Sequence, residues 1–274
     1  METNQNKVLV LGASGSLGKA IALKLDEQHD VVGTYCTKKI KSNIKTAQVD
    51  ITKKGSLDAL EKGFNAVVFI AGAMPAEMRG YSPQHYIDVN ITGAQNVLEF
   101  CVKRKIRKVI YVTTFSDVSG AFYTGEPIKD DDPRTLTYTG DHAFYGITKV
   151  TACELLEHYH QQFGIQTIIF RIPTVYCNDT NFNYYVDGEL KTKAYVQMIQ
   201  SIVNKGEVEI WGNPENAKDM PYVKDFANLI NKAVNDNHAQ GIYNAGTANP
   251  VSLENLVDNM IAVFGEGKKV KKIY

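Results

Sequence analysis

The sequence predicts an α/β fold built on a doubly wound parallel sheet. Three observations predict it: a short apolar run near the start, a glycine-rich turn directly after it, and an alternation of strand and helix patterns that continues to Phe170. The run Lys7–Leu11 ends at Gly12 and is rich in β-branched residues, which is typical of a strand buried on both faces of a parallel sheet. Strands that alternate with helices in this way form a parallel sheet joined by right-handed crossovers.

The turn after this first strand carries Gly12, Gly15 and Gly18 in the order G-x-x-G-x-x-G. Glycines let such a turn bend sharply, let a pyrophosphate approach the backbone, and let the next helix pack on the strand. The amide end of that helix then faces the phosphates, and Ser14 or Ser16 is expected to cap its first amides. The unit predicts a Rossmann domain that binds a dinucleotide.

The later segments repeat this pattern and then depart from it after Arg171. Residues 1–170 are predicted to form the dinucleotide-binding Rossmann domain, and residues 171–274 mainly a smaller C-terminal substrate lobe, with segments such as Gly241–Ala245 returning to the sheet. The predicted strands are Val31–Tyr35, Lys45–Val49, Ala66–Ile70, Val109–Thr113, Thr167–Phe170 and Val208–Trp211. The predicted helices are Pro83–Arg104 with Ser82 as its cap, His142–Phe163, Ala194–Val203 and one that includes Val251–Leu256.

Composition excludes several classes of protein. Thirty basic and thirty acidic residues cancel, so nothing in the charge favours a nucleic-acid partner. No apolar run approaches the ~20 residues that span a bilayer, and the polar start METNQNK is unlike a signal peptide, so a cytoplasmic protein without a membrane partner is predicted. The four cysteines lack the spacing of a zinc site or a disulfide framework, so no metal and mostly buried, reduced thiols are predicted: Cys36, Cys101, Cys153 and Cys177.

The end of the second strand indicates which cofactor is bound. An acidic residue there would bind the adenosine 2′-hydroxyl, but the sequence reads Tyr35-Cys36-Thr37-Lys38-Lys39. Because Thr37, Lys38 and Lys39 could hold a 2′-phosphate, we favour NADP over NAD. Asp50, at the end of the third strand, could accept a hydrogen bond from the adenine amine or cap the next helix.

Tyr145 and Lys149 form the strongest chemical signal. They lie four residues apart on a predicted helix, so the phenol and the ammonium group share one face. A fixed cation favours the phenolate and is expected to lower the pKa of the tyrosine. Tyr145 could then carry a proton while a nicotinamide exchanges a hydride with the same carbon.

With these motifs in order, the chain resembles the extended short-chain dehydrogenase/reductase family, and within it the NAD(P)-dependent nucleotide-sugar epimerase/dehydratase group. Besides the glycine turn and the Tyr–Lys pair, Asp88–Gly93 looks like the segment whose Asn lies near the active site. Arg171–Tyr176 and Lys218–Asp225 are similar to two segments of the substrate side. The resemblance implies cofactor contacts from Gly12, Ser14, Gly15, Ser16, Leu17, Gly18, Thr37, Lys38, Asp50, Ile51, Ala71, Gly72, Asn90, Tyr145, Lys149 and Ile172.

Two departures from the family pattern bear on the chemistry. Counting back from Gly120, Phe115 stands where the family places a Ser or Thr that binds the reacting oxygen, and its ring cannot do so. Thr114 or Ser116 is expected to take over, and we favour Thr114. Asp117 stands at the dehydratase Glu position without an acidic partner at Ser116, so dehydration is disfavoured.

The resemblance also implies a substrate side and a partner. Substrate contacts are expected from Asp117, Thr174 and Lys218, where Lys218 replaces the family's diphosphate-binding Arg. A homodimer is implied through the helices near 82–104 and 142–163, although Val97, Leu98, Leu155 and Leu156 could equally belong to the monomer core. The family usually continues beyond the last predicted helix, so a small or shortened lobe is expected, and the late lysines (Lys268, Lys269, Lys271 and Lys272) are expected to form a solvated tail.

Three functions follow from the sequence. The first is an NAD(P)-dependent epimerase-type oxidoreductase acting on a nucleotide sugar, with Tyr145 as proton carrier and Lys149 on the ribose. The second is an NADPH-dependent carbonyl reductase, because the same residues serve both reactions. The third, favoured by Phe115, is a catalytically weak protein that senses NAD(P) or binds a partner.

Overall fold

A computed structural model of the protein describes residues 5–40, 42–122, 124–177, 181–186 and 188–274. The start of the polar segment METNQNK and part of the polar, aromatic stretch 178–193 lie outside the described residues.

A seven-stranded parallel sheet forms the centre of the molecule. Its strands are β1 Lys7–Leu11, β2 Asp30–Tyr35, β3 Lys45–Gln48, β4 Ala66–Phe69, β5 Lys108–Thr114, β6 Gln166–Ile172 and β11 Gly241–Asn244. Their spatial order is β11-β6-β5-β4-β1-β2-β3, the doubly wound arrangement in which the order of the strands reverses between β1 and β4. The predicted fold class is confirmed.

Helices cover both faces of this sheet. On one face, Val97, Leu98 and Leu156 are fully buried against the inner strands; on the other, Ile21 and Ile230 are buried in a second core. The helices are α1 Ser16–Asp26, α2 Lys54–Asp58, α3 Pro83–Tyr86, α4 Gly93–Arg104, α5 Asp141–Phe163, α6 Ala194–Lys205, α7 Val223–Asn235 and α8 Leu253–Phe264. Val97, Leu98 and Leu156 therefore belong to the monomer core, and Leu155 packs partly buried against it.

The long helix predicted from Pro83 to Arg104 is not uniform. Between α3 and α4 the turn widens into a π-helical segment, Ile87–Thr92, which carries Asn90. Such segments are frequent at functional sites, because the extra residue turns side chains away from their α-helical directions. Ser82 stands at the N-cap position, but its side chain makes no capping hydrogen bond.

The remaining elements form small sheets beside the main one. They are β7 Asn183–Val186 with β8 Glu189–Thr192, β9 Glu207–Glu209 with β13 Lys271–Ile273, and β10 Ala217–Lys218 with β12 Val251–Ser252. A third apolar cluster holds this region together, with Ile202, Val208 and Val257 buried. Here the expectation of a solvated lysine tail is wrong in part, since β13 pairs with β9 and Lys272 binds Glu254 and Asp258.

Among the described residues, no helix combines the length and the apolar character needed to cross a bilayer.

Candidate active site

The glycine turn has the geometry of a phosphate-binding loop. Gly12 has a φ of +90°, and a Cβ on it would lie 2.7 Å from the Ala71 nitrogen. A Cβ on Gly18 would lie 2.2 Å from the Gly12 oxygen, so α1 packs on the turn only because Gly18 has no side chain. A Cβ on Gly15 would meet only the Gly12 oxygen, at 3.7 Å, which leaves the space beside the start of α1 open. These residues fit a dinucleotide pyrophosphate.

Gly15 occupies the N-cap position of α1 and makes no side-chain capping hydrogen bond, and the predicted capping residues Ser14 and Ser16 are exposed beside it. The turn is closed by the backbone, with the Gly15 N–H donating to the Gly12 oxygen over 3.2 Å. A helix N-terminus at such a turn favours an anion.

The ends of β2 and β3 lie at the same edge of the sheet. Thr37, Lys38 and Lys39 are exposed in the loop after β2. Asp50 accepts hydrogen bonds from the Thr52 N–H (3.1 Å) and hydroxyl (2.7 Å). These bonds lower the pKa of Asp50. Both bonds lie before α2, whose N-cap position is Lys53 and which has no side-chain capping hydrogen bond, so the predicted capping of that helix by Asp50 is wrong.

Tyr145 and Lys149 lie on successive turns of α5, below the carboxyl end of β5. Lys149 is buried, its Nζ donates to the Val112 oxygen over 2.8 Å, and it stands 4.1 Å from the centre of the Tyr111 ring. Burial lowers the pKa of Lys149 to about 8. A lysine with a depressed pKa at the edge of a parallel sheet is a candidate functional group.

The pKa of Tyr145 departs from the sequence-based prediction. Burial raises it to about 12; a hydrogen bond with Thr114 opposes this rise, and the charge of Glu77 adds to it. The expected lowering by Lys149 is therefore wrong for the protein chain by itself, because desolvation of the phenolate outweighs the other interactions. A further positive charge near the phenol is needed to make it a base near neutral pH.

Thr114 and Ser116 both lie beside Tyr145, where β5 gives way to a 3-10 helical segment, Phe115–Ala121. The Thr114 side chain interacts with the Tyr145 phenol and lowers its pKa. Its Oγ1 lies 3.1 Å from the Ser116 Oγ and accepts the Ser116 N–H over 3.2 Å. The structure thus places two hydroxyl groups, hydrogen-bonded to each other, beside Tyr145, with that of Thr114 interacting with the phenol.

Phe115 and Asp117 point elsewhere. The Phe115 ring faces Arg171, whose guanidinium carbon is 5.9 Å from the ring centre. Asp117 is fully buried and accepts two hydrogen bonds from the Arg171 Nε, at 2.9 and 3.1 Å, and one from Nη2 at 3.0 Å. Arg171 Nη1 also donates to Asn244 Oδ1 over 2.9 Å. This placement argues against the predicted substrate contact of Asp117, because its carboxylate is occupied within the fold.

Asn90 ties three segments together at the centre of the site. Its Oδ1 accepts the Ala73 N–H over 2.8 Å, and its Nδ2 donates to the Ala73 oxygen and to Thr148 Oγ1, both over 3.0 Å. A Cβ on Gly72 would lie 3.1 Å from Asn90 Oδ1 and 3.8 Å from Lys149 Nζ. Asn90 and Gly72 therefore lie beside the catalytic candidates.

The other predicted cofactor contacts, Ile51, Ala71, Leu17 and Ile172, take part in packing or in backbone pairing. Ile51 is buried, a Cβ on Gly93 would come within 2.7 Å of it, and Ala71 donates its N–H to the Leu11 oxygen over 2.9 Å. Leu17 is packed against the core at the start of α1, and Ile172 ends β6 opposite Thr114.

The predicted substrate residues Thr174 and Lys218 are exposed on two segments that meet. Tyr176 donates its N–H to the Pro221 oxygen over 3.0 Å, and its oxygen accepts the Val223 N–H over 2.9 Å. This bridge joins the chain after β6 to the chain after β10, which carries Lys218. Both segments therefore border the same side of the molecule.

The structure describes no group of His, Cys, Asp and Glu able to hold a metal within the residues it covers. The four cysteines are free thiols, of which Cys101 and Cys153 are buried, Cys177 is partly buried and Cys36 is exposed.

Sequence comparison decides the family. The profile of the NAD dependent epimerase/dehydratase family matches residues 8–246, which include the glycine turn, Tyr145 and Lys149. The chain belongs to this family. Its members are enzymes, and curated relatives include a UDP-glucuronate 4-epimerase of Thermodesulfobacterium geofontis, 26% identical over 94% of this chain and 76% of the relative. A GDP-L-fucose synthase of Arabidopsis thaliana is 21% identical over 98% of this chain and 81% of the length of that relative.

Solved structures of epimerases share the fold of this family member. A UDP-glucose 4-epimerase of Thermus thermophilus in complex with NAD has a TM-score of 0.77 at 21% identity, over 98% of this chain and 85% of the other. A UDP-N-acetylglucosamine 4-epimerase of Methanobrevibacter ruminantium in complex with UDP-N-acetylmuramic acid has a TM-score of 0.80 at 19% identity, with the same coverage.

Sequence reasoning missed three features of the site. It named Arg171 and Asp117 separately but not as a pair, and it did not single out Tyr86, whose hydroxyl donates to Asp141 Oδ1 over 2.7 Å. Glu77 was missed as well. The available signal for Tyr86 was its spacing of four residues from Asn90, which brings both to one side of a helix.

Proposed function

We propose that this chain is an NAD(P)-dependent nucleotide-sugar epimerase that exchanges a hydride with a hydroxyl-bearing carbon of a UDP-linked hexose. The observation that carries the proposal is the grouping of Tyr145 with the hydrogen-bonded hydroxyls of Thr114 and Ser116 beside buried Lys149, at the sheet edge that also bears the glycine turn. A UDP-sugar is named for one curated relative, a UDP-glucuronate 4-epimerase, and for two structures with the same fold, a UDP-glucose 4-epimerase and a UDP-N-acetylglucosamine 4-epimerase.

Different residues of this chain bind different parts of the cofactor. Gly12, Gly15 and Gly18 would hold the pyrophosphate, and Lys149 would bind the nicotinamide ribose. When bound, NAD(P)⁺ supplies the hydride acceptor and a positive ring charge that favours the Tyr145 phenolate.

Tyr145 then accepts the proton of the sugar hydroxyl while the hydrogen on the same carbon leaves as hydride. Thr114 holds the reacting oxygen through its hydroxyl group. Reversal of both transfers on the opposite face of the keto sugar gives the epimer, and Tyr145 returns the proton.

Dehydration is disfavoured for a structural reason. The carboxylate that would have to remove or deliver a proton, Asp117, is paired with Arg171 in the interior. Proton transfer needs a group within hydrogen-bond reach of the substrate.

The finer choice of cofactor rests on the loop after β2. Exposed Lys38 and Lys39 are free of a neighbouring acidic residue in the local sequence Tyr35–Ile40, and this supports a preference for NADP. Titration of the purified protein with each dinucleotide tests this preference. Tighter NADP binding that is lost in K38E/K39E supports it, and tighter NAD binding contradicts it.

The reaction itself is tested by two signals measured together. The protein is incubated with cofactor and, separately, UDP-glucose, UDP-N-acetylglucosamine and UDP-glucuronate, and epimers are separated by chromatography while nicotinamide absorbance is recorded. Epimer formation without net change in absorbance supports the proposal. Stoichiometric oxidation of NADPH with a keto sugar would instead show a carbonyl reductase. Cofactor binding without turnover of any sugar would favour a sensing protein.

A further inference from the structure

The first turns of α5 are held in place from outside the helix. Gly140 occupies the N-cap position with a φ of +86°, and no side chain of the described residues caps the helix there. Helix ends that lack a cap open readily, because their first amides have no intrahelical partner. Tyr145 is the fifth residue of this helix. Its position therefore depends on contacts that other elements make with the same turns.

Two side chains of the α3 and π-helical segment provide such contacts. The Tyr86 hydroxyl donates to Asp141 Oδ1 over 2.7 Å, four residues before Tyr145. Asn90 Nδ2 donates to Thr148 Oγ1 over 3.0 Å, three residues after it. Thr148 Oγ1 in turn donates to the Tyr145 oxygen over 2.9 Å. Tyr145 is thus bracketed by one bond on each side.

The ring of Tyr86 also contacts the catalytic tyrosine. Tyr86 is fully buried, and its ring centre lies 6.2 Å from that of Tyr145 and 6.2 Å from that of Phe144. Burial raises the pKa of Tyr86, with Asp141 adding to the rise, so the phenol stays a hydrogen-bond donor across the working range of pH. A buried hydroxyl of this kind is costly unless it is bonded, so the bond to Asp141 is maintained.

We propose that Tyr86 is a positioning residue for the catalytic tyrosine: its hydroxyl, through Asp141, fixes the first turn of α5 and holds the Tyr145 phenol against Thr114. Tyr86 touches no reacting atom. As an account of turnover, this role rests on the proposed function.

The experiment compares three variants that change one atom or one group each. Y86F removes only the donor, D141A removes the acceptor, and D141N keeps an acceptor oxygen without the charge. Y159F serves as the matched control, because Tyr159 lies on the same helix and packs on Phe163, away from the site. Epimerase kcat and KM are measured across pH, and amide hydrogen exchange is measured on the peptide 141–148.

The expected result is a loss of kcat with an unchanged KM. Y86F and D141A lower kcat by roughly 10- to 100-fold, because small displacements of a catalytic group are costly. The acid-side limb of their kcat profile moves to higher pH, since Tyr145 acts as a base and, when displaced, loses the interaction with Thr114 that lowers its pKa. D141N and Y159F stay within about threefold of the wild type, and Y86F/D141A is no worse than either single variant.

Hydrogen exchange decides the proposal without any turnover. Exchange of 141–148 accelerates at least about tenfold in Y86F and D141A but not in Y159F. If the wild-type protein turns over no sugar, the proposed function fails while this measurement still tests the Tyr86 contact. Unchanged exchange in Y86F and D141A overturns the proposal. So does a Y86F protein of lower Tm whose kcat and pH profile match the wild type, or a D141N protein as impaired as D141A.

Discussion

Two buried cations at the carboxyl edge of the sheet differ in how their charge is balanced. Arg171 is 1% exposed, and its guanidinium meets the Asp117 carboxylate and the Asn244 amide oxygen. Lys149 is 4% exposed, and its ammonium meets the Val112 carbonyl and the face of the Tyr111 ring. One charge is matched by a full opposite charge, and the other by dipoles alone.

This difference distinguishes a buried cation that stabilises the fold from one that is available for chemistry at the same edge of the sheet. A buried cation paired with a carboxylate fastens strands and loops, as Arg171 does for β6, the segment after β5, the loop at Lys129 and the end of β11. A buried cation held only by dipoles has a lowered pKa and remains able to bind a ligand. This comparison supports the proposed assignment of the chemistry to Tyr145 and Lys149, and of a structural role to Asp117 and Arg171.

The largest expected effect is the loss of turnover when the phenol group of Tyr145 is removed. Y145F is expected to lower kcat by roughly 10²- to 10⁴-fold, because general acid–base catalysis contributes about that much. Dinucleotide binding, measured by calorimetry, and Tm are expected to stay near the wild-type values. Y159F, on the same helix, is the control and keeps its turnover. A fully active Y145F variant would contradict the assignment of the chemistry to Tyr145.

The scaffold side is expected to respond in stability. D117A leaves Arg171 buried without its partner and is expected to reduce the free energy of unfolding by about 3–5 kcal/mol, as measured by urea denaturation. D58A serves as the control: it breaks the exposed Lys103–Asp58 pair, so the loss of stability is expected to be far smaller. Equal losses in the two variants would mean that the buried pair has no special structural role.

The two hydroxyls beside Tyr145 are expected to differ. T114V removes the hydroxyl that interacts with the Tyr145 phenol and is expected to lower kcat by about 10- to 100-fold, whereas S116A stays within about fivefold. Steady-state kinetics of both variants in parallel give the answer. A larger loss in S116A than in T114V would assign the reacting oxygen to Ser116.

The smallest effect is a pH dependence of stability. The pKa of Lys149 is lowered from 10.5 to about 8 in the folded chain, so the unfolded chain binds more protons between these values. Stability therefore rises with pH from about 8 to 10, by about 1–2 kcal/mol from this group. Above pH 10 the raised pKa of Tyr145 acts in the opposite direction, so denaturation is measured below it. K149M is expected to lack the rise, and an identical rise in K149M would show that Lys149 is not its source.

Much of the fold could be predicted because it depends on local patterns. The strand β1 and the helix α6 follow from apolar periodicity, and the first strand was placed at its observed bounds. The π-helical segment and the pairing of β13 with β9 could not be predicted, because both depend on contacts between segments distant in sequence. No local signal of Lys271–Ile273 indicates its partner strand.

The residues of the site also divide into those that local sequence indicates and those that only the folded chain brings together. The spacing of Tyr145 and Lys149, downstream of the glycine turn and the alternating strands, indicated this pair, and the hydroxyl of Thr114 was available on the adjoining strand. The raised pKa of Tyr145 was missed because burial depends on the whole packed core rather than on the neighbour four residues away. The Asp117–Arg171 pair was missed for a similar reason, since the two residues are brought together only by the pairing of β5 with β6.

A crystal structure of the protein with NAD(P) bound is the most direct test of the chemistry proposed for Tyr145 and Lys149. We expect the pyrophosphate at Gly12–Gly18, the Lys149 ammonium within hydrogen-bond distance of a ribose hydroxyl, and the Tyr145 phenol facing the nicotinamide. A dinucleotide bound away from the glycine turn, or a Tyr145 phenol turned away from the nicotinamide, would contradict the assignment of chemistry to this pair.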